Sequence, residues 1–370
     1  MKKKILIIFG TRPEAIKLAP LIHHLNQTST IELSVCVSSQ HVELLNQVLD
    51  FFKITPEFNL NIMTPNQSLF DITTKCLSHF EKIINKVHPS LIIVQGDTST
   101  AFAGALAGYY AKIPVAHIEA GLRTNDNYNP FPEEVNRKLI AQLATFHFAP
   151  TEQNKKDLIN EGINENIWVV GNTVIDALKH TLKIVNNGFT PPFSITKTAT
   201  KKIILVTAHR RENMGTPFKQ LCEQLIDIAK NPNYEIIFSL HLNPEIQQTA
   251  QSLLKNVANI RLINPQTYPN FIWLMSQSNL IITDSGGVQE EAPYLGIPVL
   301  ITRKQTERLE TMNHRTNKLI DLSKHSLTQE VETIFTKQLS KTQDSSFEPY
   351  GEGKSAESIS AVLESILSSN

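Results

Sequence analysis

The chain has 370 residues, and its 35 Lys and Arg balance 35 Asp and Glu, giving a formal charge of zero. Its length exceeds what one hydrophobic core comfortably serves, so we expect two domains. The charge balance argues against nucleic acid or an anionic membrane as the main partner. No apolar stretch approaches the length of a membrane span. The scattered cysteines Cys36, Cys76 and Cys222 predict reduced core thiols in a cytoplasmic protein, with neither a disulfide frame nor zinc spacing.

Short apolar runs alternate with longer amphipathic stretches along the chain. The runs are mostly β-branched, too short for helices and bounded by Gly, Pro or polar residues, which predicts buried strands. In chain order these are Ile5–Phe9, Leu33–Val37, Leu91–Gln95, Val115–Ile118, Ile167–Val170, Ile203–Thr207, Glu235–Leu240, Ile260–Ile263, Leu280–Thr283 and Val299–Thr302. The predicted helices include Pro13–Leu25, His41–Phe52, Ser99–Ala111 and Val288–Leu295. Such alternation favours an α/β fold of parallel sheets covered by helices on both faces.

A segment rich in Pro, Thr, Asn and Lys separates the two halves. Residues 186–202 lack periodicity and are predicted to be a linker between an N-terminal domain, 1–185, and a C-terminal domain, 203–349. Near the end, one apolar stripe predicts a helix over Ser355–Leu367. We expect this helix, within 350–370, to pack on the first domain.

Charged and small residues follow one predicted strand after another. Ligands of open parallel sheets bind beyond the carboxyl ends of the strands. Residues of this kind follow five strands: Gly10–Arg12, Gly96–Thr98, Glu119–Arg123, His209–Asn213 and Asp284–Gly287. This pattern predicts an active cleft.

One of these segments is suited to a phosphate. Ser285, Gly286 and Gly287 enter a helix after a strand, where backbone N–H groups and the helix dipole attract an anion. The alternative is a plain glycine turn. Arg12 and Lys17 add cations from the first half. No Walker loop or GxGxxG motif is present, so neither ATP nor NAD has a signature.

The first half also carries four candidate acids. Asp97, Glu119, Glu133 and Glu134 follow or face predicted strand ends, where they would act as general acids and bases or merely as caps and solvated charges. Arg137 lies one helical turn beyond Glu133, so an intrahelical ion pair is an alternative.

Two further candidates lie in the second half. His241, after the strand Glu235–Leu240, is either structural or lines the cleft. Phe271 is either a core residue, which the pattern favours, or a stacking face for a nucleobase.

Nine short motifs occur along the chain: GTRPEAIKLAP at 10–20, GDT at 96–98, HIEAGLRT at 117–124, PFPEEVNR at 130–137, AHRREN at 208–213, HLNP at 241–244, TDSGGVQEEAP at 283–293, TER at 306–308 and PYGEGKSAE at 349–357. With these motifs in this order, the chain resembles the non-hydrolysing UDP-N-acetylglucosamine 2-epimerases over nearly its whole length. Each motif alone is weak, but nine in order are highly specific.

This resemblance implies a GT-B-like fold, in which two Rossmann-like domains face a central cleft, and a homodimer with no required metal or nicotinamide cofactor. It implies that Arg12, Lys17, His209, Ser285 and Gly286, with the adjoining Gly287, hold the diphosphate, that Glu291 binds the ribose hydroxyls and that Phe271 lies by the uracil. Asp97, Glu119, Glu133, Arg137 and His209 match the catalytic residues. The implied reaction interconverts UDP-N-acetylglucosamine and UDP-N-acetylmannosamine, through elimination of UDP to 2-acetamidoglucal, for cell-surface polysaccharide synthesis.

The sequence departs from the family pattern at several positions. Gln95 replaces a usual His before Gly96-Asp97, and Leu309, Arg315 and Asp321 alter the loop after TER. Val42 replaces an Arg common in relatives that bind a second substrate molecule as activator. Such an allosteric site would use Gln40, Glu43, Glu134 and His241.

Three alternative functions stay open from the sequence. A hydrolysing relative would release N-acetylmannosamine and UDP, although GTRPEAIKLAP favours the non-hydrolysing type. A GT-B glycosyltransferase would need an acceptor groove, which no motif indicates. An inert sugar-nucleotide-binding protein would have no need of the matched catalytic residues.

Overall fold

The computed structural model describes residues 2–39, 42–62, 64, 67–195, 201–208, 210, 213–312, 317–337 and 348–368. The chain divides into two compact units. The first comprises Met1–Lys179 and Tyr350–Asn370, and the second comprises His180–Pro349. Within the described residues, no helix has both the length and the apolar character that crossing a bilayer requires.

The first unit is built on a parallel sheet of seven strands in the order β3-β2-β1-β4-β5-β6-β7. The strands are β1 Lys3–Phe9, β2 Ile31–Val37, β3 Phe58–Asn59, β4 Leu91–Gln95, β5 Val115–Ile118, β6 Phe146–Ala149 and β7 Ile167–Val169. The helices are α1 Arg12–Gln27, α2 Val42–Phe51, α3 Leu69–Val87, α4 Ser99–Tyr110, α5 Glu133–Leu143, α6 Glu152–Asn160, α7 Thr173–Asn186 and α14 Ser355–Ser368. Helix α7 begins in this unit and ends in the second.

The second unit is built on a parallel sheet of six strands in the order β10-β9-β8-β11-β12-β13. The strands are β8 Lys202–Ala208, β9 Tyr234–Leu240, β10 Ile260–Ile263, β11 Leu280–Thr283, β12 Val299–Ile301 and β13 Asn317–Leu319. The helices are α8 Thr216–Ala229, α9 Pro244–Leu254, α10 Tyr268–Gln277, α11 Gly286–Tyr294, α12 Leu309–Met312 and α13 Leu327–Thr336.

Each sheet has a point at which its strand order reverses. In the first unit β1 lies between β2 and β4, and in the second β8 lies between β9 and β11. Helices that follow strands on opposite sides of such a point cover opposite faces, so a crevice opens at the carboxyl ends of the two central strands. The loops after β1 and β4, and those after β8 and β11, are therefore the expected ligand positions.

Small residues let helix α4 lie close against the first sheet. A Cβ added to Gly104 would come within 3.0 Å of the Val94 side chain, and one added to Gly108 within 2.5 Å of Val115. Because α4 directly follows β4 through Gly96–Thr98, this close packing fixes the start of the helix beside the strand end. The short connection is thereby held in place.

The last helix, α14, belongs to the first unit. Its apolar stripe is buried at Ile359, Leu363 and Leu367, and α14 packs on α1. The Asp176 carboxylate of α7 accepts hydrogen bonds from the backbone N–H groups of Ser355, at 3.2 Å, and Ala356, at 2.9 Å. These two bonds cap the first turn of α14, where helical N–H groups lack partners.

All ten predicted strands occur, with ends within two residues of those predicted. Three strands were not predicted: β3, β6 and β13. In β6 the buried His147 interrupts the apolar run. The predicted helix His41–Phe52 corresponds to α2, although His41 lies outside the described residues.

Candidate active site

In the first unit, three loops that carry candidate residues leave adjacent strands. Strand β4 pairs with β1 on one side and β5 on the other, and Gln95 is in register with Ile118. Since all three strands run in the same direction, the segments that begin at Gly10, Gly96 and Glu119 leave the same edge of the sheet. The carboxylates of Asp97 and Glu119 therefore extend from neighbouring strand ends.

Glu119 lies in a buried ion pair. Its two carboxylate oxygens accept hydrogen bonds from Lys17 Nζ at 2.6 and 2.7 Å, and both side chains are at least nine-tenths buried. The amide Nε2 of Gln95 donates a third hydrogen bond to Glu119 Oε2. Three donated bonds fix the orientation of this buried carboxylate. Gln95 thus provides a donor that does not titrate.

Asp97 is held from helix α5. Arg137 Nη2 donates to Asp97 Oδ2 at 2.5 Å, and Asn136 Nδ2 donates to the Asp97 backbone oxygen at 2.9 Å. The Arg137 side chain is only 4% exposed, whereas that of Asp97 is 25% exposed. The carboxylate of Asp97 is therefore oriented by a buried cation while part of its surface stays accessible to a ligand.

A histidine supports the same loop from β5. His117 is fully buried, and its Nε2 lies 2.7 Å from the Gly96 carbonyl oxygen. Burial lowers the pKa of His117 to about 3, so the ring is neutral, and Nε2 carries the proton that it donates. The segment Gly96-Asp97 is thus fixed on its backbone as well as on its side chain.

The two glutamates at the start of α5 differ in environment. Glu133 is half-buried. Glu134 is fully buried, and its oxygens accept from the backbone N–H groups of Thr124 at 3.0 Å and Asn125 at 3.1 Å. Glu134 also lies 3.5 Å from the Arg137 guanidinium. In this arrangement Glu134 holds the loop after β5 in place.

In the second unit, helix α11 begins at the candidate phosphate segment. Ser285 is its N-cap residue, and Gly286 and Gly287 form its first turn. The Ser285 backbone N–H donates to Thr283 Oγ1 at 2.9 Å. The glycines expose the first turn of α11 without side chains, which suits the approach of an anion.

Asp284 ties the loop after β8 to this helix start. It is fully buried, and its Oδ2 accepts from the Arg210 backbone N–H and from Asn213 Nδ2, both at 2.9 Å. Because β8 and β11 are paired, these bonds join the two loops at the point where the strand order reverses. His209, a predicted catalytic residue, lies outside the described part of this loop.

A buried charge network lies directly beneath Gly286. A Cβ at Gly286 would be 2.6 Å from the Arg308 guanidinium carbon. Arg308 donates to Glu290 at 2.7 Å and to Glu307, and Arg303 donates to Glu307 at 3.0 Å. Residues of the motif TER thus pack against the start of α11. The network holds two cations and two anions, so its charges cancel.

Glu291 lies on α11 and Phe271 on α10, and a side-chain contact joins these two helices. Tyr268 Oη donates to Glu291 Oε1 at 2.7 Å in a buried contact. Phe271 is half-buried on α10, one helical turn after Tyr268. Tyr268 orients the carboxylate that the family resemblance assigns to the ribose.

The remaining predicted residues differ in exposure. Arg12 is half-buried in the first turn of α1. Glu43, at the start of α2, and His241, after β9, are exposed. The Nδ1 of His241 accepts from the Asn243 backbone N–H at 3.2 Å. Gln40 lies outside the described residues.

Among the residues missed from the sequence as site residues are Asn136, Tyr268 and Asp284, which take part in these contacts, and Glu14, which bonds to Thr98. Glu14, Asn136 and Asp284 lie inside quoted motifs, and Tyr268 lies one helical turn before Phe271. Their signal was position next to a strand end or one helical turn from a candidate. Among the described residues, no group of three or more His, Cys, Asp or Glu is arranged to hold a metal ion.

Comparison with known proteins identifies the family. The family model described as UDP-N-acetylglucosamine 2-epimerase matches residues 23–364. A Campylobacter jejuni UDP-N-acetylglucosamine 2-epimerase is 46% identical over 98% of this chain and 98% of its own length. A crystal structure of the Neisseria meningitidis UDP-GlcNAc 2-epimerase bound to UDP-GlcNAc is 44% identical, with a TM-score of 0.87 over 98% of this chain and 100% of that chain.

A more distant structure bears on the fold alone. The glycotransferase of kitacinnamycin is 9% identical, with a TM-score of 0.67 over 98% of this chain and 99% of that chain. The predicted α/β class, with two Rossmann-like domains of parallel sheets and GT-B-like structural neighbours, is therefore confirmed. The resemblance of the motifs is confirmed as well, and the chain belongs to the UDP-N-acetylglucosamine 2-epimerase family of isomerases.

Proposed function

We propose that this protein catalyses the reversible conversion of UDP-N-acetylglucosamine to UDP-N-acetylmannosamine without releasing free sugar. One observation carries the proposal: two carboxylates, Asp97 and Glu119, extend from neighbouring strand ends, and each is paired with a buried cation. Family membership supplies the substrate class. The pairs supply acid and base groups of fixed orientation.

The chemistry explains why such groups are needed. The proton at C2 of the sugar is poorly acidic, because no carbonyl lies next to C2 to stabilise a carbanion. Removing this proton while the C1–O bond to UDP breaks places the electron pair in a C1–C2 double bond, and the negative charge leaves on the diphosphate. The products of this step are 2-acetamidoglucal and UDP. Returning UDP to C1 and a proton to the opposite face of C2 gives the other epimer.

In the first unit, we assign proton transfer at C2 to Asp97, Glu119 and Glu133. Arg137 orients Asp97, and Lys17 together with Gln95 orients Glu119. A general acid or base must lie within hydrogen-bond reach of the proton that it transfers, so this orientation matters. Lys17 was expected at the diphosphate, and in our proposal its pairing with Glu119 is its main task.

In the second unit, we assign the UDP leaving group to the start of α11. Backbone N–H groups at Ser285, Gly286 and Gly287 would stabilise the charge that develops on the diphosphate. Glu291, oriented by Tyr268, would accept hydrogen bonds from the ribose hydroxyls, and Phe271 would stack on the uracil. Arg12 and His209 would add positive charge to the diphosphate, and His209 would take part in catalysis.

The finer expectations from the sequence belong to this proposal. We propose domains at 1–185 with 350–370 and at 203–349, joined by the linker 186–202. We also propose a homodimer that acts in the cytoplasm, and a product used for cell-surface polysaccharide synthesis. The activator site at Gln40, Glu43, Glu134 and His241 stays a prediction. Sedimentation equilibrium tests the dimer, and a sigmoidal dependence of rate on substrate tests the activator.

Product separation tests the proposed activity directly. Purified protein is incubated with UDP-N-acetylglucosamine, and the nucleotides and free sugars are separated by ion-exchange chromatography. The proposal predicts a stable mixture of two UDP-sugars. Stoichiometric UDP and free N-acetylmannosamine would instead show a hydrolysing enzyme.

Variants connect the activity to the proposed carboxylates. Asp97→Asn and Glu119→Gln remove one charge each and are expected to lower kcat by a factor on the order of 10² to 10⁴. Asp227→Asn is the matched control, because Asp227 lies in an exposed pair with Lys230 in the second unit. Full activity of both site variants would contradict the assignment.

A further inference from the structure

Glu14 joins two loops that the preceding assignments treat separately. It lies in the first turn of α1, two residues after Arg12, and is only 2% exposed. Its carboxylate contacts both the loop after β1 and the loop after β4. The residues 10–12 and 96–98 that form these loops are called here loop A and loop B.

The contacts divide between the two oxygens of one carboxylate. Oε2 accepts three hydrogen bonds from loop A, donated by the backbone N–H groups of Gly10 at 3.1 Å and Thr11 at 2.8 Å and by Thr11 Oγ1 at 2.7 Å. Oε1 accepts from Thr98 Oγ1 of loop B at 2.8 Å.

This arrangement exceeds what capping a helix requires. A glutamate at the third helical position commonly bonds back to the cap residue, with its second oxygen in water. Here the second oxygen is buried and bonded to a residue 84 positions away in sequence. Burial raises the pKa of Glu14 to about 7, which means that this buried position disfavours the ionised side chain. An apolar or shorter side chain would avoid that cost but would not join the loops.

The surroundings leave loop A little freedom to move. A Cβ at Gly10 would lie 2.2 Å from Ser38 Oγ and 2.6 Å from Thr100 Oγ1. Those two hydroxyls are themselves hydrogen-bonded at 2.8 Å, which ties β2 to the first turn of α4. Loop A is therefore packed tightly, and the bond from Thr98 to Glu14 holds loop B at a fixed distance from it.

We propose that Glu14 is a positioning residue that holds Arg12 and Asp97 at a fixed separation. Thr98 follows Asp97 directly, and its hydroxyl also accepts from the Ala101 N–H at 3.0 Å at the start of α4. The link thus ends on the backbone that carries Asp97. The inference rests on the proposed function, since it takes Arg12 as a diphosphate ligand and Asp97 as a proton-transfer group.

Substitutions at Thr98 separate this role from simple folding. Thr98→Val removes the hydroxyl that Glu14 binds, whereas Thr98→Ser keeps it. Thr151→Val is the matched control, because Thr151 caps α6 in the same unit by accepting from the Asn154 N–H at 3.2 Å. Each valine variant loses one helix cap, which is worth about 1 kcal/mol.

The activity readout is a split between kcat and KM. Misplacing a catalytic group by about 1 Å costs on the order of 10²-fold in rate. We expect Thr98→Val to lower kcat about 10- to 100-fold with KM within about twofold, and Thr98→Ser to restore kcat. Thr151→Val should lose similar stability and keep kcat. Glu14→Gln, which replaces one acceptor oxygen by a donor, serves as a second variant should Thr98→Val fail to fold, with the same loss expected.

A second readout does not require turnover. Hydrogen–deuterium exchange of loop A is expected to quicken at least threefold in Thr98→Val, because Glu14 then loses its bond to loop B, and to stay unchanged in Thr151→Val. Unchanged exchange in loop A, or an unchanged kcat in an active Thr98→Val protein, would overturn the positioning role. If the wild type is inactive and exchange in loop A is still faster in Thr98→Val than in the wild type, the proposed function is contradicted but the link between the loops stands.

Discussion

The pair formed by Lys17 and Glu119 is a buried charge interaction of the candidate site. Both groups are buried, and their atoms approach to 2.6 Å. Removing one partner of such a pair leaves the other as an uncompensated buried charge, which typically costs about 3–5 kcal/mol. Removing both partners together costs far less. Stability and catalysis should therefore respond differently to the same substitutions.

A double-mutant cycle tests this separation. Glu119→Gln is expected to lower the free energy of unfolding of the first unit by about 3–5 kcal/mol, and adding Lys17→Met should restore most of the loss. Urea denaturation monitored by circular dichroism measures both effects. Activity should stay low in the double variant. A single variant as stable as the wild type would contradict a buried, ionised pair.

Three buried titratable groups give the stability a defined pH dependence. Burial lowers the pKa of His117 to about 3 and that of His147 to about 4, from the ordinary value of 6.5. Below pH 6.5 these two histidines therefore bind protons in the unfolded chain but not in the folded chain, and stability falls as pH falls. The raised pKa of Glu14 acts in the opposite direction, because stability is lost as pH rises from 4.5 to about 7.

Between pH 5 and 6, each group contributes a slope of about 1.4 kcal/mol per pH unit. Relative to the wild type, we expect His147→Gln to lower the slope by about that amount and Glu14→Gln to raise it by about that amount. Urea denaturation of the three proteins at pH 5.0, 5.5 and 6.0 measures this. Equal slopes in all three would contradict these pKa shifts.

Single residues were harder to predict from the sequence than motifs. Asp97, Glu119 and Arg137 were chosen because they follow strand ends or lie one turn from a candidate. The ion pair between Arg137 and Asp97 joins residues 40 positions apart, and no local spacing predicts it. The same is true of Glu14 with Thr98 and of Tyr268 with Glu291, which depend on which strands and helices lie side by side.

At the scale of elements, the motif PYGEGKSAE serves to dock helix α14. Gly171, before α7, has φ +80°, and a Cβ there would lie 2.6 Å from both Ser355 Oγ and the Tyr350 carbonyl oxygen. The Asn172 N–H donates to that same carbonyl at 2.9 Å. A residue with any side chain at position 171 would thus push the start of α14 away from α7.

Two alanine substitutions isolate this effect. Gly162 has φ +85°, and a Cβ added there would meet no atom within 4 Å beyond its chain neighbours, so Gly162→Ala bears only the backbone strain, about 1 kcal/mol. Gly171→Ala bears the same strain and the overlap, and we expect an extra loss of about 2 kcal/mol or more. Thermal unfolding compares the two. Equal losses would contradict the close packing at Gly171.

The strands were predicted well because parallel strands buried on both faces give continuous apolar runs. Strand β6 was missed since FHFA includes His147, and a buried neutral histidine looks polar in sequence. Strand β3 has two residues and β13 has three, which is too short for a periodic signal. Both β3 and β13 lie at the edges of their sheets, where fewer neighbours impose an apolar sequence.

At the scale of the whole molecule, two sheets repeat one design. In the first sheet the strand order reverses at β1 and β4, and in the second at β8 and β11. Candidate ligand residues follow these strands. Strand–helix alternation predicted parallel sheets, and the family resemblance implied two Rossmann-like domains. The alternation could not predict the pairing order of strands, which depends on long-range packing.

The assignment of UDP to the second unit makes a prediction about binding. UDP at a hundred times its Kd should stabilise that unit by about 2.7 kcal/mol. Gly286→Ala should weaken UDP binding at least tenfold, because its Cβ would displace the Arg308 guanidinium. Isothermal titration calorimetry measures the Kd for UDP in the wild type, in Gly286→Ala and in the control Gly188→Ala, whose added Cβ would meet open space. Equal affinities in all three proteins would contradict the site.

In the proposed reaction a proton leaves and returns at C2 while UDP departs and comes back. Proton NMR of the wild-type protein with UDP-N-acetylglucosamine in deuterated water follows both changes at once. We expect the anomeric signal of UDP-N-acetylmannosamine, deuterium at C2 of the product, and no free sugar. A manno product that keeps its C2 proton, or accumulation of free N-acetylmannosamine with UDP, would contradict it.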